Sequence, residues 1–243
     1  MVERMAKKIK TTKELQNKSN EIREKVINYH KRTGRGHVGS NLSPIEILTT
    51  LYYGFMQEND SFILSKGHAS SILYVVLNDR GLIPNGALDK LEEHPKLKKE
   101  YGINASTGSL GHGLSIGLGM AFADPMNNVY VLLGDGECDE GQVWEAARLA
   151  KEINIKNLTA IVDCNGFQGF KNTDYSSLGN KFKSFGWYTL DCDGHDCKDI
   201  LESLKSRGEY PRVLLAKTIK GKGISEIEAQ LRSHYFHFPG GKK

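Results

Sequence analysis

Short apolar runs alternate with amphipathic stretches along most of this chain. Runs with a period of two or with continuous β-branched and aliphatic residues predict strands, and runs with a period near 3.6 predict helices. Strands that alternate with helices indicate a parallel sheet covered on both faces. The pattern therefore predicts an α/β fold with a three-layer, doubly wound parallel sheet. The predicted strands are 62–64, 129–134, a run that ends near 164, 187–192 and 212–218, and the predicted helices are 13–32, 44–53, 69–79, 111–123, one beginning near 141, and 199–205.

Length and composition narrow the class of protein. The 243 residues are enough for one large domain, 1–243, and the net charge of +4 comes from 33 basic and 29 acidic residues. No basic stripe interleaved with aromatic residues is present, so we expect no nucleic-acid binding. No run of 18 apolar residues and no secretory signal occur, so we expect no membrane span. Four cysteines in a domain of this size indicate a reducing, cytoplasmic location without disulfides.

The segment 129–169, VYVLLGDGECDEGQVWEAARLAKEINIKNLTAIVDCNGFQG, carries the strongest chemical signal. Asp135 follows one apolar run and Asn165 follows the next, with a helical stretch between them. A right-handed crossover makes two such strands parallel, so both side chains should reach the same crevice of the sheet. Carboxylate and amide oxygens suit Mg²⁺ or Ca²⁺, which commonly share a phosphate. The segment predicts a divalent metal that holds a phosphorylated cofactor.

Each of these residues also has a simpler interpretation. Asp135 could be a helix N-cap for the helix near 141, and Asn165 could belong to an ordinary Asn-Gly turn. Glu140 could be a capping acid stabilised by the helix dipole, or an acid–base group or partner contact that points across the crevice. The spacing between Asp135 and Asn165 favours the metal interpretation. For Glu140 the sequence leaves both interpretations open.

Four histidines lie in turns marked by glycine or proline: His37, His68, His94 and His112. Together they suit a site that handles hydroxyls, carbonyls and phosphates near neutral pH. They do not form a zinc pattern, because no two are spaced as i and i+4. The motif CDGHDC at 192–197 suggests a metal knuckle, although an Asp-Gly turn with incidental thiols is the simpler interpretation. The glycines of 106–123 indicate either close helix–strand packing or ligand contact.

These motifs resemble the transketolase family. GDG followed by 28 residues and Asn165 is similar to the thiamine diphosphate motif. GRGHVGSNLSPIEILTTLYY, LSKGHAS, the EHP turn, STGSLGHGLSIGLGMA and KTIKGKGIS each resemble transketolase segments in the right order. They cover most of residues 15–225. The resemblance implies the thiamine diphosphate-binding fold. It covers only the diphosphate-binding domain of the family.

The resemblance also implies residue roles. Asp135, Asn165 and the carbonyl group of Phe167 would hold the metal, and Gly136 and Glu137 would offer backbone N–H groups to the diphosphate. His68 would contact the diphosphate, and His37 would lie near both cofactor and donor sugar. His94 would recognise the donor, and His234 corresponds in spacing to a further catalytic histidine. Gly108 and Leu110 would pack along the aminopyrimidine, and Glu140 would reach across a dimer interface as part of the catalytic set.

The chain departs from the family pattern in three places. Gly111-His112-Gly113 replaces the usual Gly-Gln-Gly, as in relatives of 1-deoxyxylulose-phosphate synthase, and the tail 226–243 is unusual. No part of the sequence could form the pyrimidine-binding domain, which carries the activating glutamate of the family. The resemblance thus implies the N-terminal subunit of a split transketolase, which transfers a two-carbon ketol unit between sugars or sugar phosphates.

The expected partner is a separate C-terminal subunit that carries the pyrimidine-binding domain. Because the cofactor would span two chains, the natural closed assembly is an α2β2 heterotetramer. Two alternatives stay open. One is an acyloin synthase or a 2-oxo acid decarboxylating subunit with the same cofactor, and the other is a cofactor-binding scaffold subunit without activity.

Overall fold

The structure, a computed structural model, describes residues 8–206, 208 and 211–239. In this part of the chain five strands form one sheet with the order β1-β2-β3-β5-β4, and every neighbouring pair is parallel. The α/β prediction with a parallel sheet is confirmed. The strands are β1 (Ser61–Leu64), β2 (Val129–Gly134), β3 (Leu158–Cys164), β4 (Tyr188–Asp193) and β5 (Arg212–Lys217).

The helices follow the predicted periodicity with small shifts at their ends. The helix expected at 44–53 changes type along its length. A short α-helix at Ile45–Thr49 is followed directly by a π-helical turn at Thr50–Phe55. The α-helices are α1 (Thr12–Thr33), α2 (Val38–Leu42), α3 (Ile45–Thr49), α4 (Ser70–Asp79), α5 (Asn85–Leu88), α6 (His112–Ala123), α7 (Gly141–Glu152), α8 (Leu178–Ser184) and α9 (Cys197–Lys205).

Two hydrophobic cores lie on opposite faces of the sheet. Along β1 and β2, Phe62 and Leu132 face one core, while Ile63 and Val131 face the other. This alternation has the period of two that a pleated strand imposes. Buried residues of α1, α3, α4 and α9 join the first core, and those of α6, α7 and α8 join the second. The three-layer arrangement follows directly from this pattern.

Local signals set the ends of α1. The Thr11 side chain accepts a hydrogen bond from the Glu14 backbone N–H, and Glu14 accepts one from Thr11 in return, which forms a capping box. The helix ends at Gly34, which has a φ of 69° and can adopt the left-handed conformation without a Cβ clash. One apolar side of α1, including Leu15, Ile22 and Val26, is fully buried. The capping signals and the burial agree with the predicted helix.

Three short helices were not expected from the sequence. The glycine-rich stretch before residue 44 contains α2, whose five residues are all buried. Both α5, a single turn, and α8 lie in polar segments, and α8 buries only Leu178 and Phe182, four positions apart. A two-residue apolar contact is too short to produce a recognisable period. All four cysteines are free, and no helix among the described residues has the length and apolar character needed to cross a membrane.

Candidate active site

A cavity of about 380 Å³ lies at the carboxyl ends of β2 and β3. Parallel α/β sheets bind ligands at this edge, where the loops after neighbouring strands diverge. The cavity brings together many of the residues singled out in the sequence. Its lining includes Ser40, Lys66, His68, Leu110, Asp135, Gly136, Glu137, Glu140, Asn165, Phe167, Gln168, Lys220, His234 and Tyr235.

Asp135 connects the two loops that frame this cavity. It is 2% exposed, and its carboxylate accepts hydrogen bonds from the backbone N–H groups of Gly136 (2.8 Å) and Gly166 (2.6 Å). It caps the short 3-10 turn at Gly136–Asp139, while the N-cap of α7 is Glu140. The interpretation of Asp135 as the N-cap of α7 is therefore wrong. The spatial pairing of the two strand ends agrees with the crossover argument.

Burial raises the pKa of Asp135 to about 6, and the neighbouring carboxylate of Asp163 acts in the same direction. The two backbone hydrogen bonds and the Lys66 ammonium oppose this shift only in part. A buried carboxylate beside a second carboxylate is stabilised in its charged form by an added cation. This electrostatic setting suits a bound metal ion.

Asn165 and Phe167 line the same cavity. Asn165 Oδ1 accepts a hydrogen bond from the Phe167 backbone N–H (3.1 Å), and its amide nitrogen donates to Asp163 (3.2 Å). The carbonyl oxygen of Phe167 accepts from Lys220 Nζ (3.1 Å). Within the described ranges no group of three or more His, Cys, Asp or Glu side chains could hold a metal. The predicted set of one carboxylate, one amide and one carbonyl has the oxygen chemistry that Mg²⁺ accepts.

A buried ion pair close to these residues was not predicted from the sequence. Lys66 Nζ lies 2.5 Å from Asp163 Oδ2, and the two residues are 1% and 0% exposed. Asp163 also accepts hydrogen bonds from the hydroxyl groups of Ser43 and Thr218. Burial alone would raise its pKa, but the charge and hydrogen bond of Lys66 hold the pKa below its ordinary value. Asp163, the next-to-last residue of β3, is thus a charged residue within an apolar strand.

Three histidines form a cluster beside the cavity, and two of them, His68 and His234, line it. The ring centroids of His37, His68 and His234 lie between 5.1 and 5.3 Å from one another. Burial lowers the pKa of all three, that of His234 to about 3, with Lys220 adding to the effect at His234. The rings are consequently neutral at physiological pH. His37 has a φ of 58°, an uncommon conformation for a residue with a side chain.

Lys220 places a second buried cation next to this cluster. It is 1% exposed, and its ammonium group donates to the carbonyl oxygens of Phe167 and Gln168 and lies 3.0 Å from His234 Nδ1. Burial and the nearby Lys66 lower its pKa to about 8. Lys220 belongs to the KTIKGKGIS motif, so the resemblance to the family could have indicated it as a residue of the site. Lys66 likewise belongs to the LSKGHAS motif.

His94 lies outside the main cavity. It borders a neighbouring cavity of about 260 Å³ together with Thr107 and His112. A Cβ added to Gly108, whose φ is 148°, would lie 2.9 Å from the His94 ring, so glycine is required for this close approach. Leu110 lines the main cavity. The structure thus brings together His37, His68 and His234, while His94 packs on Gly108 at the cavity's edge.

The two glutamates of the segment differ in their surroundings. Glu137 is 3% exposed, and its carboxylate accepts from Ser65 Oγ (2.5 Å) and from the backbone N–H groups of Gly111 (2.9 Å) and Gly134 (3.1 Å). This fixes the glycine turn that begins α6. Glu140 is exposed at the cavity mouth and makes no side-chain capping bond. Glu140 occupies the N-cap position of α7, so its interpretation as an acid stabilised by the helix dipole stays open, and its catalytic role stays a prediction.

A parallel sheet with a carboxylate and an amide at the ends of adjacent strands defines a cofactor-binding α/β domain. The family described as transketolase, thiamine diphosphate binding domain, matches residues 15–236. The chain belongs to this family.

Several relatives have a similar length. The 6-deoxy-6-sulfo-D-fructose transketolase subunit SqwG of Clostridium sp. (strain MSTE9) is 37% identical, with 91% of this chain and 90% of that protein covered. An apulose-4-phosphate transketolase subunit of Actinobacillus succinogenes is 38% identical, with 91% and 90% covered. Human transketolase is 34% identical over 88% of this chain, but the chain spans only 38% of the human protein.

Solved structures show the same relationship. A transketolase from Campylobacter jejuni superposes with a TM-score of 0.75 at 25% identity, and 90% of this chain covers 40% of that one. A Pichia stipitis transketolase variant gives a TM-score of 0.77 at 25% identity, with 90% and 38% covered. The chain therefore corresponds to the thiamine diphosphate-binding domain of the longer enzymes.

Proposed function

We propose that this chain is the cofactor-anchoring subunit of a split transketolase. The observation that carries the proposal is the cavity at the ends of β2 and β3, which Asp135, Asn165, His68 and His234 line together. Relatives of the same length are named as transketolase subunits. The reaction would move a two-carbon ketol unit from a ketose or its phosphate to an aldose.

The residues of the cavity fit the cofactor and its metal. Asp135, Asn165 and the Phe167 carbonyl would hold Mg²⁺ or Ca²⁺. The backbone N–H groups of Gly136 and Glu137 would contact the diphosphate, and that of Gly136 would exchange its bond to Asp135 for this contact. Thiamine diphosphate, when bound, supplies the carbon nucleophile and electron sink that sugar C–C cleavage requires. Lys220 also lines this cavity, where its ammonium group can donate a hydrogen bond to an anionic ligand.

The histidines suit the handling of sugar hydroxyls. Because His37, His68 and His234 are neutral, each ring has one nitrogen that can donate a hydrogen bond and one that can accept a hydrogen bond from a sugar hydroxyl. His37 Nδ1, next to the two lining histidines, is buried without a hydrogen-bond partner among the described residues. We assign His234 and His37 to proton transfer and His68 to diphosphate contact. His94, beside Gly108, would contact the donor sugar at the edge of the cavity.

A second subunit would complete the site. Glu140 is exposed at the cavity mouth, beside Leu110 and the exposed ring of Phe170, where a partner could cover it. We propose that a C-terminal transketolase subunit with the pyrimidine-binding domain packs here, in an α2β2 heterotetramer. The assembly would function in the cytoplasm. An acyloin or 2-oxo acid activity and an inactive scaffold role are less well supported, because the subunit-length relatives are named as transketolases.

The sugar would be a phosphorylated or sulfonated ketose, by analogy with the substrates in the relatives' names. The decisive experiment is reconstitution of the chain with its C-terminal partner, thiamine diphosphate and Mg²⁺, followed by ketol transfer from xylulose 5-phosphate, apulose 4-phosphate and 6-deoxy-6-sulfofructose to an aldose phosphate. We expect transfer from at least one donor, and only with both subunits. Full transfer by the chain alone, or decarboxylation of 2-oxo acids instead of transfer, would contradict the proposal.

A further inference from the structure

Both ring nitrogens of His195, in the CDGHDC motif, contact other groups of the protein. Its Nδ1 lies 3.0 Å from Glu46 Oε2, and its Nε2 accepts a hydrogen bond of 2.7 Å from the backbone N–H of Ile219. The ring is 8% exposed. Both nitrogens are occupied, and Cys192 and Cys197 are buried free thiols. The motif is therefore not a metal knuckle, and its histidine connects the turn after β4 to the segment after β5.

The two contacts fix the tautomer of His195. A backbone N–H can donate only to an unprotonated ring nitrogen, so Nε2 carries no proton. The proton of the neutral ring must then be on Nδ1, where it is donated to Glu46. A carboxylate on one side and a backbone donor on the other orient the ring, in the way that partner groups orient catalytic and ligating histidines.

Glu46 is the centre of a buried network. It is 2% exposed and also accepts a hydrogen bond from Arg23 Nη2 (2.5 Å), while Arg23 Nη1 donates to the carbonyl oxygens of Leu42 (2.9 Å) and Lys222 (2.7 Å). Burial would raise the pKa of Glu46, but His195 and Arg23 outweigh it and hold the pKa low. The network thus connects α1, α2 and α3 to residues on both sides of Lys220.

Lys220 depends on the segment that this network holds. Ile219 precedes it and is fixed by His195, and Lys222 follows it and is fixed by Arg23. The Lys220 side chain then reaches the carbonyl oxygens of Phe167 and Gln168 and the ring of His234. The backbone at Ile219 thus helps to set where the Lys220 side chain begins, together with the hydrogen bond from the Ala229 N–H to the Lys220 carbonyl oxygen (2.9 Å).

We infer that His195, oriented by Glu46, is a positioning residue that holds Lys220 against the cofactor cavity. A role of this positioning in catalysis rests on the proposed function. Its geometry, however, can be tested on the full chain without cofactor or partner. His195 acts through the backbone of Ile219 and does not contact the cavity itself.

Two substitutions separate the two contacts of the ring. In His195→Asn the amide nitrogen can replace Nδ1 and donate to Glu46, but nothing reaches Ile219. In His195→Gln the longer side chain can place its carbonyl oxygen near the position of Nε2 and accept from Ile219. His237→Gln, at an exposed histidine of the C-terminal segment, is the matched control.

The first readout is the rate at which limiting acetic anhydride acetylates Lys220 in the full chain, measured by peptide mass spectrometry. Lys66, equally buried, is the internal reference. We expect His195→Asn to raise the Lys220 rate about threefold to tenfold relative to Lys66, which corresponds to the loss of one hydrogen bond. We expect His195→Gln and His237→Gln to stay within about twofold of the wild type. Equal increases at Lys66 and Lys220, or none at Lys220, would overturn the inference.

The second readout is the ¹⁵N spectrum of the histidine-labelled chain at pH 7.5. We expect His195 as a neutral ring with the proton on Nδ1, and a doubly protonated ring or the opposite tautomer would overturn the inference. The reconstituted complex then gives an independent result. If the wild-type complex fails to bind thiamine diphosphate while both readouts behave as expected, the proposed function is wrong and the positioning of Lys220 stands.

Discussion

Lys66 and Asp163 form an ion pair with a separation of 2.5 Å, fully enclosed between the sheet and the loops that build the cavity. The pair joins the segment after β1 to the end of β3, 97 positions apart. Asp163 in turn holds the amide of Asn165. The ion pair therefore determines which way the Asn165 oxygen faces.

Lys66→Met should destabilise the chain strongly. Removal of one partner of a buried ion pair leaves an unpaired charge, and this typically costs about 3–5 kcal/mol. The remaining hydroxyl and amide donors of Asp163 reduce the effect, so we expect about 3 kcal/mol in urea unfolding. Lys198→Met, at an exposed pair with Glu202 (3.9 Å), is the control and should cost less than about 0.5 kcal/mol. Equal losses for the two variants would show that the buried pair has no special role.

Asp135→Asn should stabilise the cofactor-free chain at neutral pH. Because the folded-state pKa of Asp135 is raised to about 6, the folded chain holds an extra proton between the ordinary pKa of an aspartate and pH 6. Stability is thus lost as the pH rises through this window, and the full penalty applies above it. The asparagine carries no charge, but it has only one oxygen for two backbone donors. We expect a net gain of about 1 kcal/mol at pH 7.5.

The check for Asp135→Asn is thermal unfolding at pH 7.5 and at pH 4. The gain should disappear at pH 4, where the wild-type carboxyl is largely protonated in the folded state. Asp139→Asn, at an exposed carboxylate of the same turn, should show little change between these conditions. A gain that is independent of pH would contradict the raised pKa.

Two glycines of α6 should respond to alanine in opposite directions. A Cβ at Gly117 would lie 2.4 Å from Val131 Cγ2 on β2, whereas a Cβ at Gly119 would meet nothing within 4 Å. Gly117→Ala should cost about 1–3 kcal/mol through overpacking. Gly119→Ala should add about 1 kcal/mol, because alanine favours the helix. Chemical denaturation of the isolated chain measures both, and similar signs would contradict the packing of α6 on the sheet.

His234→Ala should reduce ketol transfer in the reconstituted complex by about a hundredfold or more in kcat, as expected for the loss of an acid–base group. His237→Ala, three positions away and exposed, should leave kcat within about twofold. Steady-state kinetics with saturating donor and acceptor decide between these outcomes. A full rate for His234→Ala would remove the catalytic role that we propose for it.

The sequence predicted the sheet well because its strands are strongly apolar. The runs at 62–64 and 212–218 differ from β1 and β5 by one residue at one end. The pairing of Asp135 with Asn165 followed from the rule that parallel strands end at the same edge. Short elements such as α8 carried too few apolar positions to be recognised.

The remaining parts of the site depend on contacts that no local pattern records. Asp163 lies within an apolar strand, and its partner Lys66 comes from a different loop. The CDGHDC motif suggested a metal or a turn, while the structure pairs His195 with Glu46, 149 positions away. His94 is the histidine of a Glu-His-Pro turn that resembles the family's turn, yet the loop places it beside Gly108 and outside the main cavity. Tertiary packing determines which partner or cavity each of these side chains reaches.

The histidine cluster has a consequence for folding order. Ser40 and His234, which approach each other at its centre, are separated by 194 positions. Contacts of such long range require closure of a very large loop, so they form after the local helices and the neighbouring strands. We therefore expect assembly of the three rings to be among the last events in folding. The histidine cluster is complete only when both distant halves of the chain have met.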